Sequence, residues 1–298
     1  MRRQIIVAFL GWLLLGLHPA AAHAAERGAL FKVSGHGHTM LLFGTMHVGL
    51  PEFYPLEPRI AAAVAGASIL ALEIDPMLDP AGLANAMRRH AMLAPGSPSY
   101  ESQPPPFRKR LERALKKANI DMAAVDRFKP WLLATTRALA EYAEQGYRTD
   151  MSVDLRLAQL ARAGRVPVIA LETVEGQLGM FDRLSTEEQW RFLDESMALI
   201  ETGKQRGEVR QIVDAWRYAD QAALEAIATR AESDTSMAGK FVQKVMLEER
   251  NGPLADKLAD LLEKQDNSVA AIGVLHLVGR HGVPVKLRAR GFTVERIY

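Results

Sequence analysis

Two histidines and two glutamates stand where four short apolar segments end, and these residue types could hold a catalytic metal. His47 and His276 each close an apolar run through the pattern Gly-x-x-His. Glu73 and Glu172 each come directly after another apolar run. Neutral imidazole and carboxylate are common ligands of catalytic divalent ions. The sequence therefore predicts a metal site with ligands from separate segments, and we expect Mn, Co or Zn in it.

The segments that must position these residues have the pattern of buried β-strands. Apolar runs of four to eight residues bounded by glycine turns are typical of strands that are covered on both faces. If the four strands are parallel, their C-terminal ends meet at one edge of a sheet, where open α/β sheets bind ligands. The predicted strands cover residues 41–47, 68–73, 166–172 and 270–276.

The roles of the carboxylates are left open by the sequence. Two histidines with one or two carboxylates suffice for a metal, and a remaining carboxylate would act as general base. Glu73 is the first candidate for either role. Glu172 and Asp154, which lies near the start of a helix predicted at 150–163, are second candidates, because each could instead cap a helix or pair with an arginine. The spacing is not HExxH, and the chain has neither a G-x-S-x-G elbow nor any cysteine.

Helical periodicity dominates the rest of the chain. Residues 77–150 contain no strand-like run, which predicts a helical insertion between the Glu73 strand and the Glu172 strand. Ordinary helix packing is the first interpretation of this insertion, and a cap over the site is the functional alternative. Residues 35–38, Gly-His-Gly-His, predict a hairpin turn, with metal chelation as the alternative. Residues 251–253, Asn-Gly-Pro, predict a break between two late helices.

The N-terminus predicts export. Arg2 and Arg3 precede a short apolar stretch and an Ala-x-Ala site at 22–24, which together describe a secretory signal peptide over residues 1–24. Its removal takes away two of 37 basic residues and balances them against 35 acidic ones. Because no basic excess remains, we expect no nucleic-acid partner. The mature chain, 25–298, is predicted to be one periplasmic or secreted domain without a membrane anchor, and its oligomeric state is not predicted.

These features resemble the TraB/GumN family, which includes the Tiki proteases, over nearly the whole mature chain. The resemblance implies a mixed central β-sheet flanked by helices, an α/β or α+β fold similar to erythromycin esterase and ChaN-like proteins. It also implies metal-dependent hydrolysis of a peptide or protein substrate. The segments that carry it are residues 42–47, 72–75, 129–131, 153–154, 171–173, 216, 249–251, 273–279 and 291–294.

Two functions from different classes follow. The first is an exported metallohydrolase, a peptidase in which His47 and His276 hold the metal, Glu73 is a ligand or the general base, and Arg250 stabilises the oxyanion. The second is a non-catalytic periplasmic protein that binds haem or a metal, as ChaN-like relatives suggest. Retained metal with turnover would favour the enzyme, whereas a haem absorption band without turnover would favour the carrier.

Overall fold

The computed structural model describes residues 26–77 and 80–298, and these form a mixed six-stranded sheet flanked by helices. The predicted signal peptide lies outside the described residues. In space the strands are arranged in the order β4-β3-β5-β2-β1-β6. They are β1 (Leu30–Gly35), β2 (His38–Thr45), β3 (Leu70–Leu72), β4 (Val168–Ala170), β5 (Ser268–Gly273) and β6 (Thr293–Arg296).

The four strands predicted to carry site residues are parallel to one another, as the site requires. β5 lies between β2 and β3, and β3 pairs with β4 on its other side. All four strands therefore end at the same edge of the sheet. Residues of β5 are fully buried, which explains its unbroken apolar sequence, because a central parallel strand is covered on both faces.

The hairpin between β1 and β2 confirms the predicted turn at residues 35–38. His36 has φ 53° and Gly37 has φ 82°, and two consecutive positive φ values match the tight turns that suit the twist of a hairpin. The ring of His38 contacts the carbonyl oxygen of Leu262 through Nδ1 at 2.8 Å. The two histidines of this turn therefore lie away from the sheet edge that carries His47.

Helices cover the sheet and form the region between β3 and β4. They are α1 (Pro58–Gly66), α2 (Pro80–Ala86), α3 (Pro105–Lys117), α4 (Met122–Val125), α5 (Pro130–Glu144), α6 (Val153–Ala163), α7 (Val174–Gly179), α8 (Thr186–Glu201), α9 (Lys204–Arg217), α10 (Gln221–Glu232), α11 (Met237–Phe241), α12 (Glu249–Lys264) and α13 (Val283–Ala289). π-Helical turns at Met87–Ala91 and Val242–Glu248 follow α2 and α11. No helix in the described ranges is both long enough and apolar enough to span a membrane.

The predicted break at residues 251–253 is wrong, because α12 runs through Pro253 without interruption. Proline normally disturbs a helix through its missing N–H and a clash with the carbonyl four residues earlier. Here that carbonyl belongs to Glu249, directly after the π-helical segment Val242–Glu248. The wider winding of that segment loosens the backbone where the proline ring needs room. The continuous helix holds Arg250 and Asn251 rigidly in its first turn.

The predicted insertion is helical, and it shares its core with later helices. Trp131 on α5 stacks on Phe181 with ring centroids 4.2 Å apart. Phe192 on α8 and Phe241 on α11 pack around the same ring. This second core is separate from the larger one that fills both faces of the sheet. The helices between β3 and β4 are therefore fixed to the C-terminal half of the chain.

Candidate metal centre

His47 is oriented by a carboxylate at the start of α6. β2 ends at Thr45, and the Nδ1 of His47, two residues later, lies 2.9 Å from Oδ2 of Asp154. The other oxygen of Asp154 accepts a hydrogen bond from the Thr45 hydroxyl at 2.7 Å. Asp154 sits in the first turn of α6, where the helix dipole favours a negative charge. Because a carboxylate only accepts, Nδ1 of His47 donates and the ring presents Nε2 on its other side.

His276 is oriented in the same way by an amide. Its Nδ1 lies 2.6 Å from Oδ1 of Asn251, and the amide nitrogen of Asn251 donates to the carbonyl oxygen of His281 at 2.9 Å. The second contact fixes which end of the amide faces the ring. Nδ1 of His276 must therefore donate, so its Nε2 carries the free lone pair. Both side chains are buried, Asn251 to 3% and His276 to 2% exposure.

The two rings converge above Gly273 together with Glu73. A Cβ atom built on Gly273 would lie 3.1 Å from Oε1 of Glu73, 3.2 Å from Nε2 of His47 and 3.6 Å from Cδ2 of His276. Neither Nε2 has a hydrogen-bond partner within the described chain. The glycine is thus required by space rather than by backbone angle, since its φ of −51° suits any residue.

Glu73 contributes a buried carboxylate directly after β3. Its Oε1 accepts from the backbone N–H of Gly273 at 2.5 Å and lies 3.8 Å from Nε2 of His276. Its Oε2 accepts from the guanidinium of Arg250 at 2.6 Å. With 4% of the residue exposed, these partners offset the cost of burying its charge.

Arg250 holds the two glutamates of the sheet edge together. Its Nη2 donates to Glu73 and, at 2.5 Å, to Glu172, while its Nε donates to Glu172 at 3.1 Å. Its Nη1 donates to the carbonyl oxygen of Met246 at 2.8 Å. Every nitrogen of this guanidinium is engaged, so Arg250 acts as a clamp on carboxylates in this structure. Glu172 lies behind the clamp and does not face Gly273.

The charges of the site shift the pKa values of its groups in different directions. The carboxylate of Asp154 raises the pKa of His47 to about 9 in the metal-free protein, and solvent screens part of this because 64% of the side chain is exposed. Burial lowers the pKa of His276 to about 4. Burial acts to raise the pKa of Glu73, but the positive charges of His276, His47 and Arg250 and the N–H of Gly273 lower it to about 2. At neutral pH His276 is uncharged, so Arg250, His47 and the amide maintain the ionised Glu73.

The donor set suits a divalent metal, although its ligand atoms are more widely spaced than those of another group in the described chain. Two imidazole nitrogens with oriented second nitrogens, plus one ionised carboxylate, form the usual donor set of a catalytic site. Within the described residues, the group whose ligand atoms all lie within 4.8 Å of one another is a different one, Glu232, Glu248 and His281.

A large pocket opens onto this point. It has a volume of about 470 Å³ and is lined by Thr45, His47, Gly273 and His276 on the side of the sheet. Its remaining wall is mainly apolar and comes from α5, α9 and the π-helical segment Val242–Glu248. The apolar side chains include Leu139, Tyr142, Val209, Ile212, Val242 and Met246. Among the described residues that line it, Arg250 and the two histidines supply the charge-bearing groups, and none is a carboxylate.

The predicted site residues therefore fall into two layers. His47, Glu73 and His276 face the shared point, whereas Asp154 and Glu172 support them from behind. Sequence reasoning gave no role to Asn251, although it is adjacent to Arg250 in the segment that carried the family resemblance. Its place directly after Arg250 was the available signal. The contribution of the Gly273 amide leaves no trace in the sequence.

The chain belongs to the TraB/PrgY/gumN family, whose pattern it matches over residues 29–296. It is 24% identical over 257 residues to the uncharacterized protein YbaP of Shigella flexneri, covering 85% of this chain and 89% of the relative. YbaP of Escherichia coli (strain K12) is also 24% identical, over 83% of this chain and 87% of the relative. An uncharacterized protein of Treponema pallidum (strain Nichols) is 25% identical over 76% of this chain and 72% of the relative. No solved structure matches the chain.

Proposed function

We propose that the protein is an exported metal-dependent hydrolase that cleaves peptides. The observation that carries this proposal is the pair of oriented imidazoles at the edge of the sheet. Asp154 and Asn251 each hold the Nδ1 of one histidine. Nε2 of His47 and Cδ2 of His276 border the space above Gly273, and Nε2 of His276 lies 3.8 Å from Oε1 of Glu73. Proteins orient metal-ligating histidines through a hydrogen-bond acceptor at the second ring nitrogen, and a carboxylate is a common one.

His47, His276 and Glu73 would hold the ion, which when bound would polarise the carbonyl group of the substrate. Glu73 would be either a ligand or the general base, and the Glu73→Gln experiment below separates the two roles. Arg250 keeps Glu73 ionised and in place, so it is a positioning residue rather than a free oxyanion donor.

The pocket supports a substrate with a large apolar side chain next to the cleaved bond. Leu139 and Val242 are 41% and 42% exposed at its wall, and such apolar surface is covered when an apolar group binds. Leu139 lies on α5, within the segment predicted as a cap. A peptide with Leu, Phe or Met beside the cleaved bond fits this lining best.

The test is a digest of a peptide library by the purified mature protein, with and without chelator, alongside measurement of bound metal. We expect cleavage that chelator abolishes and Mn, Co or Zn restores. Glu73→Gln should lose activity by roughly two to four powers of ten, and metal affinity should fall with it if Glu73 is a ligand. The exposed Glu187→Gln is the matched control and should behave as wild type.

Three outcomes separate the alternatives. Retained metal in Glu73→Gln with loss of rate would make Glu73 the general base. Metal binding without cleavage of any peptide, or a haem absorption band on titration, would favour the carrier. If His47→Ala, His276→Ala and Glu73→Gln all keep wild-type metal content and activity, the site is elsewhere.

Export is tested separately by mass spectrometry of the mature protein. We expect its N-terminus at or near Ala25.

A further inference from the structure

A second group of ligands lies beside the candidate metal centre, in a separate small cavity. We infer that Glu232, Glu248 and His281 form a second divalent-cation site, suited to Zn²⁺ or a similar ion. Each offers one ligand atom, and these atoms all lie within 4.8 Å of one another. The three residues come from different elements, the end of α10, the end of the π-helical segment Val242–Glu248 and the loop before α13.

The cavity that these side chains line has the size of an ion. It has a volume of about 30 Å³ and is closed on its other sides by apolar residues such as Ile227, Leu247 and Val278. A space of this volume holds one or two water-sized particles. Glu232 and Glu248 have 20% and 30% of their side chains exposed and His281 has 45%, so a cation between them would be only partly shielded by solvent.

The local charge also favours a cation. Glu232 and Glu248 bring two carboxylates together in this half-buried space, which is unfavourable without a positive partner. The available partner for Glu232 is Arg280, 3.1 Å away with 71% of its side chain exposed. Glu248 accepts a hydrogen bond from the neutral amide of Gln243 at 3.2 Å, and His281 is 4.0 Å away. Two carboxylates and one imidazole form a donor set that Zn²⁺ accepts.

This site is connected to the first one through Asn251. The carbonyl oxygen of His281 accepts from the amide nitrogen of Asn251, whose oxygen holds the ring of His276. An ion bound by the His281 ring would fix the backbone that anchors this amide. Glu248 is likewise two residues before Arg250 on the same continuous helix. The second ion would thus stabilise the support of the first site without contacting its ligands.

The experiment counts bound Zn²⁺ on the metal-free mature protein, by calorimetric titration and by metal analysis after dialysis. We expect two equivalents for wild type and one for Glu248→Gln or His281→Gln. Glu225→Gln should keep two equivalents, because this nearby carboxylate bonds to the N–H of Gly279 and is not in the group. Arg280→Ala should bind the second equivalent more tightly, since it frees an oxygen of Glu232.

The variants also separate this site from the proposed active site. His47→Ala should keep one equivalent, and His47→Ala combined with Glu248→Gln should keep none. Circular dichroism melts of the metal-free variants show whether each is folded when it is titrated. If folded Glu248→Gln and His281→Gln bind as many equivalents as wild type, and equally tightly, the second site does not exist. One equivalent in wild type that is lost only with His47→Ala would overturn it while leaving the proposed function intact.

Discussion

The two Gly-x-x-His segments have similar sequences, but the structure builds them differently. The segment at His47 leaves its histidine with 64% of the side chain exposed, whereas the one at His276 leaves 3%. Their registers also differ, because Gly273 pairs with Thr45 rather than with Gly44. After Gly273 the chain turns into a 3₁₀ helix, Val274–Leu277, that places His276 inside the protein. Similar patterns therefore yield one fixed and one accessible imidazole.

The hydrogen-bond partners of the two rings also differ between the exposed and the buried histidine. A charged carboxylate, Asp154, holds the exposed ring, and a neutral amide, Asn251, holds the buried one. A carboxylate at Nδ1 of His276 would add a second buried negative charge close to Glu73, so a neutral partner suits this buried ring. The exposed ring tolerates a charged partner because water solvates the pair. His276 is therefore the buried imidazole of the candidate site and His47 the exposed one.

The largest contrast is expected between the two glycines of these segments. In Gly273→Ala the new methyl group would occupy the space shared by Glu73, His47 and His276. The proposed peptidase activity should fall by at least about 100-fold, or about 2.7 kcal/mol in transition-state stabilisation, while the fold survives because the φ of residue 273 suits alanine. Peptide cleavage and metal content measure the loss.

Gly44→Ala is the counterpart. Its Cβ would lie 2.9 Å from Cγ2 and 3.1 Å from Cα of Val274, so it strains packing between β2 and the segment after β5. We expect a lower melting temperature with metal binding retained in the folded fraction. If Gly273→Ala keeps full metal content and activity, the space above residue 273 is not the site.

The next contrast concerns the free energy of unfolding of the metal-free protein. His276→Ala removes a buried ring and leaves the oxygen of Asn251 without its donor, which should cost about 2–3 kcal/mol. His47→Ala removes an exposed ring from a screened ion pair, and about 1 kcal/mol or less is expected. Urea denaturation measures both values. His38→Ala, on the hairpin away from the site, controls for general effects of replacing histidine.

Equal costs for the two variants would contradict the comparison. A loss for His47→Ala as large as that for His276→Ala would mean that the exposed ring is structural. The measurement should use metal-free protein, because a bound ion stabilises the folded state by an amount that rises with the logarithm of its affinity and would mask the difference.

The parallel strands and their common edge were predictable from the sequence, because apolar runs such as 270–276 carry their own signal. The approach of His47, Glu73 and His276 followed from that edge. The sequence did not separate the residues that face the shared point from those that support them. Asp154 and Glu172 look like metal ligands until their hydrogen bonds are known. Glu172 is bound by Arg250, which is 78 residues away in sequence. Nothing local in either segment encodes that pairing.

The course of α12 was not predictable for a different reason. Asn-Gly-Pro is a strong break signal by local rules, and it was overridden by the π-helical segment before it. His90 is a further residue whose surroundings are set by contacts distant in sequence. Only 13% of its side chain is exposed, and its ring contacts Glu175 at 2.7 Å and Asp182 at 2.5 Å. Tertiary partners decided both cases.

The smallest expected effect is a difference in how the two histidines make stability depend on pH. The folded-state pKa of His47 is raised above its unfolded value near 6.5, so its contribution is complete below that pH and is lost as the pH rises toward about 9. The folded-state pKa of His276 is lowered, so its contribution is present above 6.5 and is lost as the pH falls toward about 4. Metal-free protein should therefore lose stability on both sides of pH 6.5.

Asp154→Asn should remove the loss of stability at alkaline pH and leave the loss at acidic pH unchanged. We expect the alkaline loss to be about 1 kcal/mol or less, because the His47 ring is exposed. Proton NMR of the ring protons checks the assignment, since His47 should titrate nearer 6.5 in Asp154→Asn while His276 stays neutral above pH 5. An unchanged His47 titration in that variant would show that Asp154 is not the group that holds its charge.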